Sequence, residues 1–401
     1  MVLLSPFVVF AGGQDEADQV AEVAIWHRWF GAFGGHISGM LTEFDEQHPN
    51  IKVVETAVPG EYIELLQKMA ASLAAGEDLP SILVGGYALL NYVADELDPV
   101  VINEKNFGAE AKEVLDRYYD STRNLAVYKN KQVGLPFALS NPVMYYNADL
   151  LKASGLDPAS PPKTWDQVAT QGKTIKEATG KYPVFIQNID NWLDQALIFS
   201  NGGHFLTADE TKVAFNNPQA VEVYEMWSGF VKSGLHPKMT WKEAQASFTG
   251  GDIAIQTTTI GFLSRYTEEA RFDLRVSHLP SFGNKTVGVP CGGAALHILN
   301  REKKDAAWEL CKYLTSQEGM AKWVQTGYVA PIKAEVPVSK GQEIAYDQLQ
   351  FAKPWAWWPG GEIGLEIDRL FLDMRTKIIW GEIGVKEGLD EAVETCNNLL
   401  K

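Results

Sequence analysis

Beyond Val20 the apolar residues switch repeatedly between short dense runs and a three-to-four-residue spacing, the patterns of buried strand and amphipathic helix. Val23-Ala-Ile25-Trp26 reads as a strand. A glycine-rich turn at Gly31, Gly34 and Gly35 then leads into Ile37, Met40, Leu41 and Phe44 at helical spacing, stopped by His48-Pro49. Ile51-Lys-Val53-Val54 predicts the next strand. Ile63, Leu66, Met69, Ala70 and Leu73 predict a second helix closed by Gly76, and Ile82-Leu83-Val84 a buried strand that leaves through Gly85-Gly86. Alternation of this kind builds a parallel sheet with right-handed crossovers, which binds ligands at the carboxyl ends of its strands. The segments at those ends are residues 26–30 and Gly85-Gly86-Tyr87.

A second α/β set follows Gly134-Leu-Pro136-Phe137, with Val143-Met-Tyr145-Tyr146 as a strand. Thr164-Trp-Asp-Gln167 has capping-box spacing, in which hydroxyl and amide satisfy free N–H groups at a helix start. Asn217-Pro218 opens a helix with Val221, Tyr224, Trp227, Phe230 and Val231 on its buried face and Gly234 as its stop. A strand over 294–299 precedes helical segments over 305–314 and 317–325. The fold class is α/β in two lobes.

Composition narrows the function classes. The 401 residues carry a formal charge of −16 and include 12 Trp. At roughly 100–200 residues per domain, each unit can bury its own core without disulfides or metals. The acidic balance repels phosphate backbones and anionic membranes, so nucleic acid is excluded as a partner. Residues 1–19 start with a short apolar run ending in Val9-Phe10-Ala11, which fits a signal-peptide remnant and linker. That points to export to a periplasmic or extracellular location. No segment reaches the ~18 consecutive apolar residues of a membrane helix. Cys291, Cys311 and Cys396 have no metal-ligand spacing.

Motifs for catalysis are missing: there is no H-E-x-x-H, G-x-S-x-G, Walker loop or G-x-G-x-x-G. The seven His are scattered without metal-ligand spacing. The expectation is a non-enzymatic protein with neither metal nor cofactor.

One ordered set of motifs carries a resemblance. The stretch from Gly134-Leu-Pro-Phe-Ala-Leu-Ser-Asn-Pro-Val-Met-Tyr-Tyr-Asn to Gly155-Leu-Asp-Pro158 is followed by Thr164-Trp165-Asp. Then come Phe248-Thr-Gly-Gly-Asp-Ile-Ala-Ile, Gly292-Gly293, Ala306-Ala-Trp-Glu-Leu and Thr326-Gly-Tyr328-Val-Ala-Pro331. Together they resemble the extracellular solute-binding proteins of ABC importers, family 1, of the maltose- and glycerol-3-phosphate-binding type. The likeness implies a periplasmic-binding-protein fold with discontinuous lobes: 20–137 plus 285–333 as the N-terminal lobe, and 138–284 plus 334–401 as the C-terminal lobe. It also implies a ligand held in the interlobe cleft, hinge closure, and docking of a monomer on the transmembrane permease subunits.

Candidate ligand residues follow from position and from the resemblance. His27 and Trp29 leave the first strand, Tyr62 starts a helix, and Tyr87 sits at a strand exit. The resemblance places Ser140 in the hinge strand, Trp192 as an aromatic platform and Tyr328 as a contact, while Gly293 allows close backbone approach. Trp355, Trp357 and Trp358, bracketed by Pro and Gly, cannot share one face of a regular element. Trp165, Trp227, Trp241, Trp308, Trp323 and Trp380 read as packing residues. The glycerophosphate branch uses a Glu after the third strand and a late Arg; here stand Gly85-Gly86-Tyr87 and the Trp cluster, with Arg28 as a remaining cation. Loss of a fixed guanidinium removes a bidentate phosphate partner. The expected ligand is therefore a disaccharide or short oligosaccharide held by stacking and hydrogen bonds. Glycerophosphodiester or glycerol 3-phosphate is the alternative, and an exported carbohydrate-active enzyme the less favoured one.

Overall fold

The computed structural model describes residues 20–285 and 288–401; the signal-peptide expectation for residues 1–19 lies outside them. Its nine principal strands are β1 Ala21–His27, β2 Ile51–Ala57, β3 Ile82–Gly86, β4 Leu135–Ser140, β5 Pro142–Asn147, β6 Tyr182–Ile186, β7 Ile253–Thr259, β8 Leu274–His278 and β9 Gly292–Ile298. They form two sheets. The first has the order β2-β1-β3-β9-β4, with β1, β2 and β3 parallel and β9 antiparallel to both β3 and β4. The second has the order β8-β5-β7-β6, with β6 and β7 parallel and β5 reversed.

These directions set the site. In the first sheet β1, β3 and β4 end at one edge, where the reversed β9 begins; in the second, β6 and β7 end where β5 begins. Asn141 alone separates β4 from β5, so the chain passes between sheets at the edge where the strand ends converge. The buried Asn141 amide donates to Ala345 O at 2.8 Å, and Gln348 Nε2 donates to Asn141 Oδ1 at 3.2 Å and Pro142 O at 2.8 Å. A later segment of the chain is thereby tied to the first crossing.

Each sheet carries its own core. Val23, Ile25, Ile37, Met40, Leu41, Phe44, Ile82, Val84 and Leu296 pack on the first, together with Trp308 and Trp323. Met144, Val184, Ile186, Tyr224, Trp227 and Phe371 pack on the second with Trp165. A third cluster, including Tyr87, Leu139, Val143, Tyr145, Val329, Ala345 and Leu349, runs between them.

Local signals behave as the sequence suggests, with two revisions. Helix Gly31–Gln47 buries Ile37, Met40, Leu41 and Phe44, and Asn217 caps helix Pro218–Lys232 by accepting from Ala220 N. In helix Tyr62–Ala74, however, Leu65, Leu66, Met69 and Ser72 are buried while Leu73 is exposed. The helix packs on Leu83, Val93 and Leu299, which turns it away from the expected face. At Trp165–Thr179 the capping box is half formed: Thr164 accepts from Gln167 N at 3.2 Å, but Gln167 Oε1 takes the N–H of Lys163 instead.

Candidate ligand-binding cleft

The strand ends of both sheets border one cleft of about 1050 Å³. From the first sheet it is lined by Arg28 and Trp29 after β1, Gly86 and Tyr87 at the end of β3, Ser140 at the end of β4, and Gly292 and Gly293 at the start of β9. The second sheet supplies Gln187, Ile189, Asp190, Asn191 and Trp192 after β6 and Thr259 at the end of β7. Helix Tyr62–Ala74 adds Tyr62, Ile63, Glu64 and Gln67; helix Glu362–Ile379 adds Leu365, Asp368, Arg369 and Leu372.

Two glycines shape the floor. Gly293 has φ +112°, and a Cβ there would lie 2.0 Å from Ala138 O, so β9 can turn into its bulge beside β4 only without a side chain. At Gly86 a Cβ would meet the Tyr62 ring at 2.6 Å, so the ring rests directly on the strand exit.

The second-lobe wall is an ordered polar and aromatic network. Trp192 and Trp355 lie 6.1 Å apart with planes 14° from parallel, and Trp192 Nε1 donates to Pro290 O at 2.8 Å. Trp355 Nε1 donates to Asn191 Oδ1 at 3.0 Å, and Asn191 Nδ2 donates to Asp368 Oδ1 at 2.5 Å. Trp358 Nε1 donates to the same Asp368 oxygen at 2.7 Å. Below this wall, buried Arg375 donates from Nη1 to Asp190 O at 2.6 Å and Asp194 Oδ2 at 3.0 Å, and from Nη2 to Asn188 O at 2.7 Å. A guanidinium thus fixes the loop that presents Asp190, Asn191 and Trp192. Burial pushes the Asp190 carboxyl up to about 6, against the opposing pull of the Trp192 N–H and of Arg375.

On the first-lobe side the Arg28 guanidinium lies 5.0 Å from the Tyr62 ring centre and pairs with Glu61 at 2.6 Å. Tyr328 packs at 5.5 Å on Trp323 and 5.7 Å from Phe33. Two contacts cross between the lobes at the residue 354–361 loop. Asn91 Nδ2 donates to Trp358 O at 3.3 Å, and Trp357 lies 5.9 Å from Tyr128, whose hydroxyl donates to Asp95 at 2.6 Å.

The sequence profile described as bacterial extracellular solute-binding protein matches residues 39–348. The chain belongs to that family. It is a solute-binding protein of an ABC importer, similar to other solute-binding proteins. The sn-glycerol-3-phosphate-binding periplasmic protein UgpB of Pectobacterium atrosepticum is 27% identical over 433 residues, 98% of this chain and 94% of the relative. Its counterpart in Escherichia coli K12 is 26% identical, with 96% and 94% covered. Among solved structures, UgpB from Mycobacterium tuberculosis in complex with glycerophosphocholine superposes with a TM-score of 0.83 at 20% identity, covering 95% and 98%. The cyclic α-maltosyl-1,6-maltose binding protein from Arthrobacter globiformis superposes at 0.80 and 22%, covering 95% and 99%. These establish the two-lobe α/β fold.

In this solute-binding protein Trp29, Tyr62, Tyr87, Ser140, Trp192, Gly293, Tyr328, Trp355, Trp357 and Trp358 all border the cleft. His27 does not. It follows Val23 and Ile25 on the inward face of β1, is fully buried, and hydrogen-bonds Glu55 at 2.8 Å, with burial lowering its pKa. Strict alternation along β1 carried that signal. Trp29 offers little to a ligand, since its ring is buried 4.6 Å from Trp323 and 5.9 Å from Phe137. The Trp cluster divides three ways. Trp355 forms the wall, Trp357 reaches the other lobe, and Trp358 is buried against Phe205, Phe215 and Phe371.

Other lining residues were not anticipated. Trp241, expected to pack, borders the cleft; Trp380, also expected to pack, is 38% exposed. The expected lack of a late arginine is corrected by Arg369, which projects from the helix after the Trp cluster, and Arg265 joins it from the other side. Asp190 and Asp368 carried no motif. The 3.6-residue period of Leu365, Asp368, Arg369 and Leu372 was the available cue to that helix face.

Proposed function

We propose that the cleft captures a carbohydrate, a disaccharide or short oligosaccharide, by aromatic stacking and hydrogen bonds, and that hinge closure presents it to the permease. One observation carries this reading: each arginine of the cleft is already occupied while the indoles and carboxylates of the second-lobe wall remain available. Arg28 pairs with Glu61, Arg265 with Glu269 at 2.8 Å, and Arg369 with Glu366 at 2.6 Å. A phosphodiester is held best by a guanidinium free to bind it bidentately. Sugar rings instead offer apolar faces to Trp355, backed by the buried Trp192, and to Trp357, and hydroxyls to Asp190, Asp368 and Ser140. The cleft volume lies at the top of the ~300–1,000 Å³ range of small-molecule sites, which favours more than one ring. Export by an N-terminal signal, a monomeric state, docking on the transmembrane subunits and absence of catalysis belong to the same proposal.

Glycerophosphodiester or glycerol 3-phosphate is the second reading, favoured by the UgpB relatives and by Arg28 in the cleft beside Tyr62. A melting screen separates the two, because a ligand that binds only the native state raises Tm. Maltose, trehalose, cellobiose and their longer homologues are compared with glycerophosphocholine and glycerol 3-phosphate. A rise with a sugar and none with the phosphates supports the carbohydrate; the reverse overturns it.

A further inference from the structure

The second-lobe wall is electrically unbalanced. Asp190 Oδ1 accepts from Trp192 N at 3.0 Å and Gln187 Nε2 at 3.4 Å, and Asp368 Oδ1 from Asn191 and Trp358. All four donors are neutral. Among the described residues, Oδ2 of each carboxylate makes no hydrogen bond, and neither residue is in an ion pair within 4.0 Å. The Arg375 guanidinium lies behind the loop that carries Asp190. It is spent on Asp194, with 4% and 0% of the two side chains exposed, and on the carbonyls of Asn188 and Asp190. Asp190 and Asp194 therefore share one buried guanidinium, while Asp368 has no ion-pair partner among the described residues.

Uncompensated charge at low dielectric is costly, and a site relieves it by binding a proton or a counter-charge. The upward displacement of Asp190, caused first by burial with smaller repulsion from Asp368 and Asp194, is the proton response. The counter-charge response has its receptor in place. Trp355, bonded to the same Asn191 that holds Asp368, supplies an aromatic face to the cleft, and indole faces attract cations. The opposite wall does not cancel the field, since Arg28 is paired with Glu61 and Glu64 adds a further carboxylate.

We propose that Asp190, Asp368 and the Trp355 indole form a subsite for a protonated amine, so that the ligand is an amino sugar or an oligosaccharide containing one. This rests on the carbohydrate reading and narrows it. An ammonium would donate to the two free carboxylate oxygens while its ring lies along the indole, and an N-acetylated or hydroxyl analogue would bring no charge.

The test is calorimetric titration of the full chain with three series of β-1,4-linked dimers to tetramers: glucosamine, N-acetylglucosamine and glucose. They differ only in the amine, acetamide or hydroxyl at one carbon. At least tenfold tighter binding of the amine series is expected. In Asp190→Asn/Asp368→Asn the ratio of amine-series to glucose-series affinity is expected to fall to within about threefold, whatever hydroxyl contacts both series lose together, with a cooperative melt retained. Equal or tighter binding of the glucose or acetylated series to the native protein overturns the subsite, with no reliance on the variant. Glycerophosphocholine and glycerol 3-phosphate form the second arm. If no sugar binds but glycerophosphocholine does, with at least tenfold preference over glycerol 3-phosphate that the double variant removes, the carbohydrate reading and the donated N–H bonds both fail, and only a cationic subsite acting through charge and the indole face stands. Equal binding of those two, or silence from every compound, overturns both.

Discussion

Asn91 donates its side-chain N–H to the backbone carbonyl of Trp358 at 3.3 Å, joining the helix after β3 to a loop anchored in the other lobe. The neighbouring Trp357 adds a ring contact at 5.9 Å to Tyr128, also on the first lobe. These contacts can form only when the lobes are near each other. Removing them shifts the population toward the open form, and apparent affinity falls with the closed fraction. Asn91→Ala/Tyr128→Ala, which leaves the Trp357 indole in place, is expected to weaken ligand binding about three- to tenfold, mostly through faster dissociation. Stopped-flow Trp fluorescence measures it; an unchanged off-rate would assign the contacts no part in closure.

Trp355 and Trp358 stand three residues apart and should separate affinity from stability. Trp355 is half-buried on the cleft wall, whereas Trp358 fills a cluster with Phe205, Phe215 and Phe371. Trp355→Ala should reduce affinity at least tenfold with little loss of stability. Trp358→Ala should cost about 3–5 kcal/mol of folding free energy, by cavity formation in a packed core. Titration and denaturant unfolding of both variants test the division, and a reversed pattern would refute it.

Gly293 permits no side chain. With φ at +112° and Ala138 O 2.0 Å from a modest Cβ, Gly293→Ala must distort the β4–β9 pairing. A loss of about 3 kcal/mol or more is expected, from backbone strain plus the clash. Gly35→Ala, where nothing lies within 4 Å, is the control and should be near neutral. Comparable unfolding midpoints for the two variants would contradict this.

Acid should destabilise the protein through its buried imidazoles. His236 donates Nδ1–H to Pro237 O at 2.8 Å and accepts from Ile186 N at Nε2, so it is held neutral, with burial lowering its pKa to about 4. A depressed histidine contributes stability above its unfolded value near 6.5 and loses it as pH falls toward 4. His297 is lowered to about 4 as well. Asp190, raised to about 6, acts oppositely, because its charged form is the disfavoured one: its contribution grows as pH falls from 6 toward 4. His27 is lowered by burial as well and Asp194 raised by it, so three histidines stand against two aspartates, and Tm should fall between pH 7 and pH 5. His236→Gln should reduce that loss by about 2 kcal/mol, at 1.4 kcal/mol per displaced unit. An unaltered slope in the variant would show that His236 does not titrate in this window.

The sequence made the lobes legible because their signals are local. Ile37 to Phe44 at helical spacing, Asn217-Pro218 at a helix start and the strand over Val143 to Tyr146 need no distant partner to be read. His27 was misread although its cue was local too: two-residue periodicity sets it beside Ile25, inside. Residues whose role depends on the approach of remote segments escaped. Asp190 and Asp368 are 178 positions apart and meet through Asn191, and Arg369 enters the cleft only because its helix lies along the wall. The three tryptophans were recognised as a group, but their division among wall, far lobe and core is decided by Asn191, Tyr128 and Phe371.

The apolar cluster that continues from Tyr87 and Leu139 through Val143 and Tyr145 to Ala345 and Leu349 has a thermodynamic consequence. Two lobes joined by bare linkers would be free to melt separately, each with its own enthalpy. Here neither can unfold without stripping the shared side chains from the other, so the melting of one lobe removes part of the other's support. Heat absorption by the unliganded chain should be a single peak, with the lobes lost together as one cooperative unit.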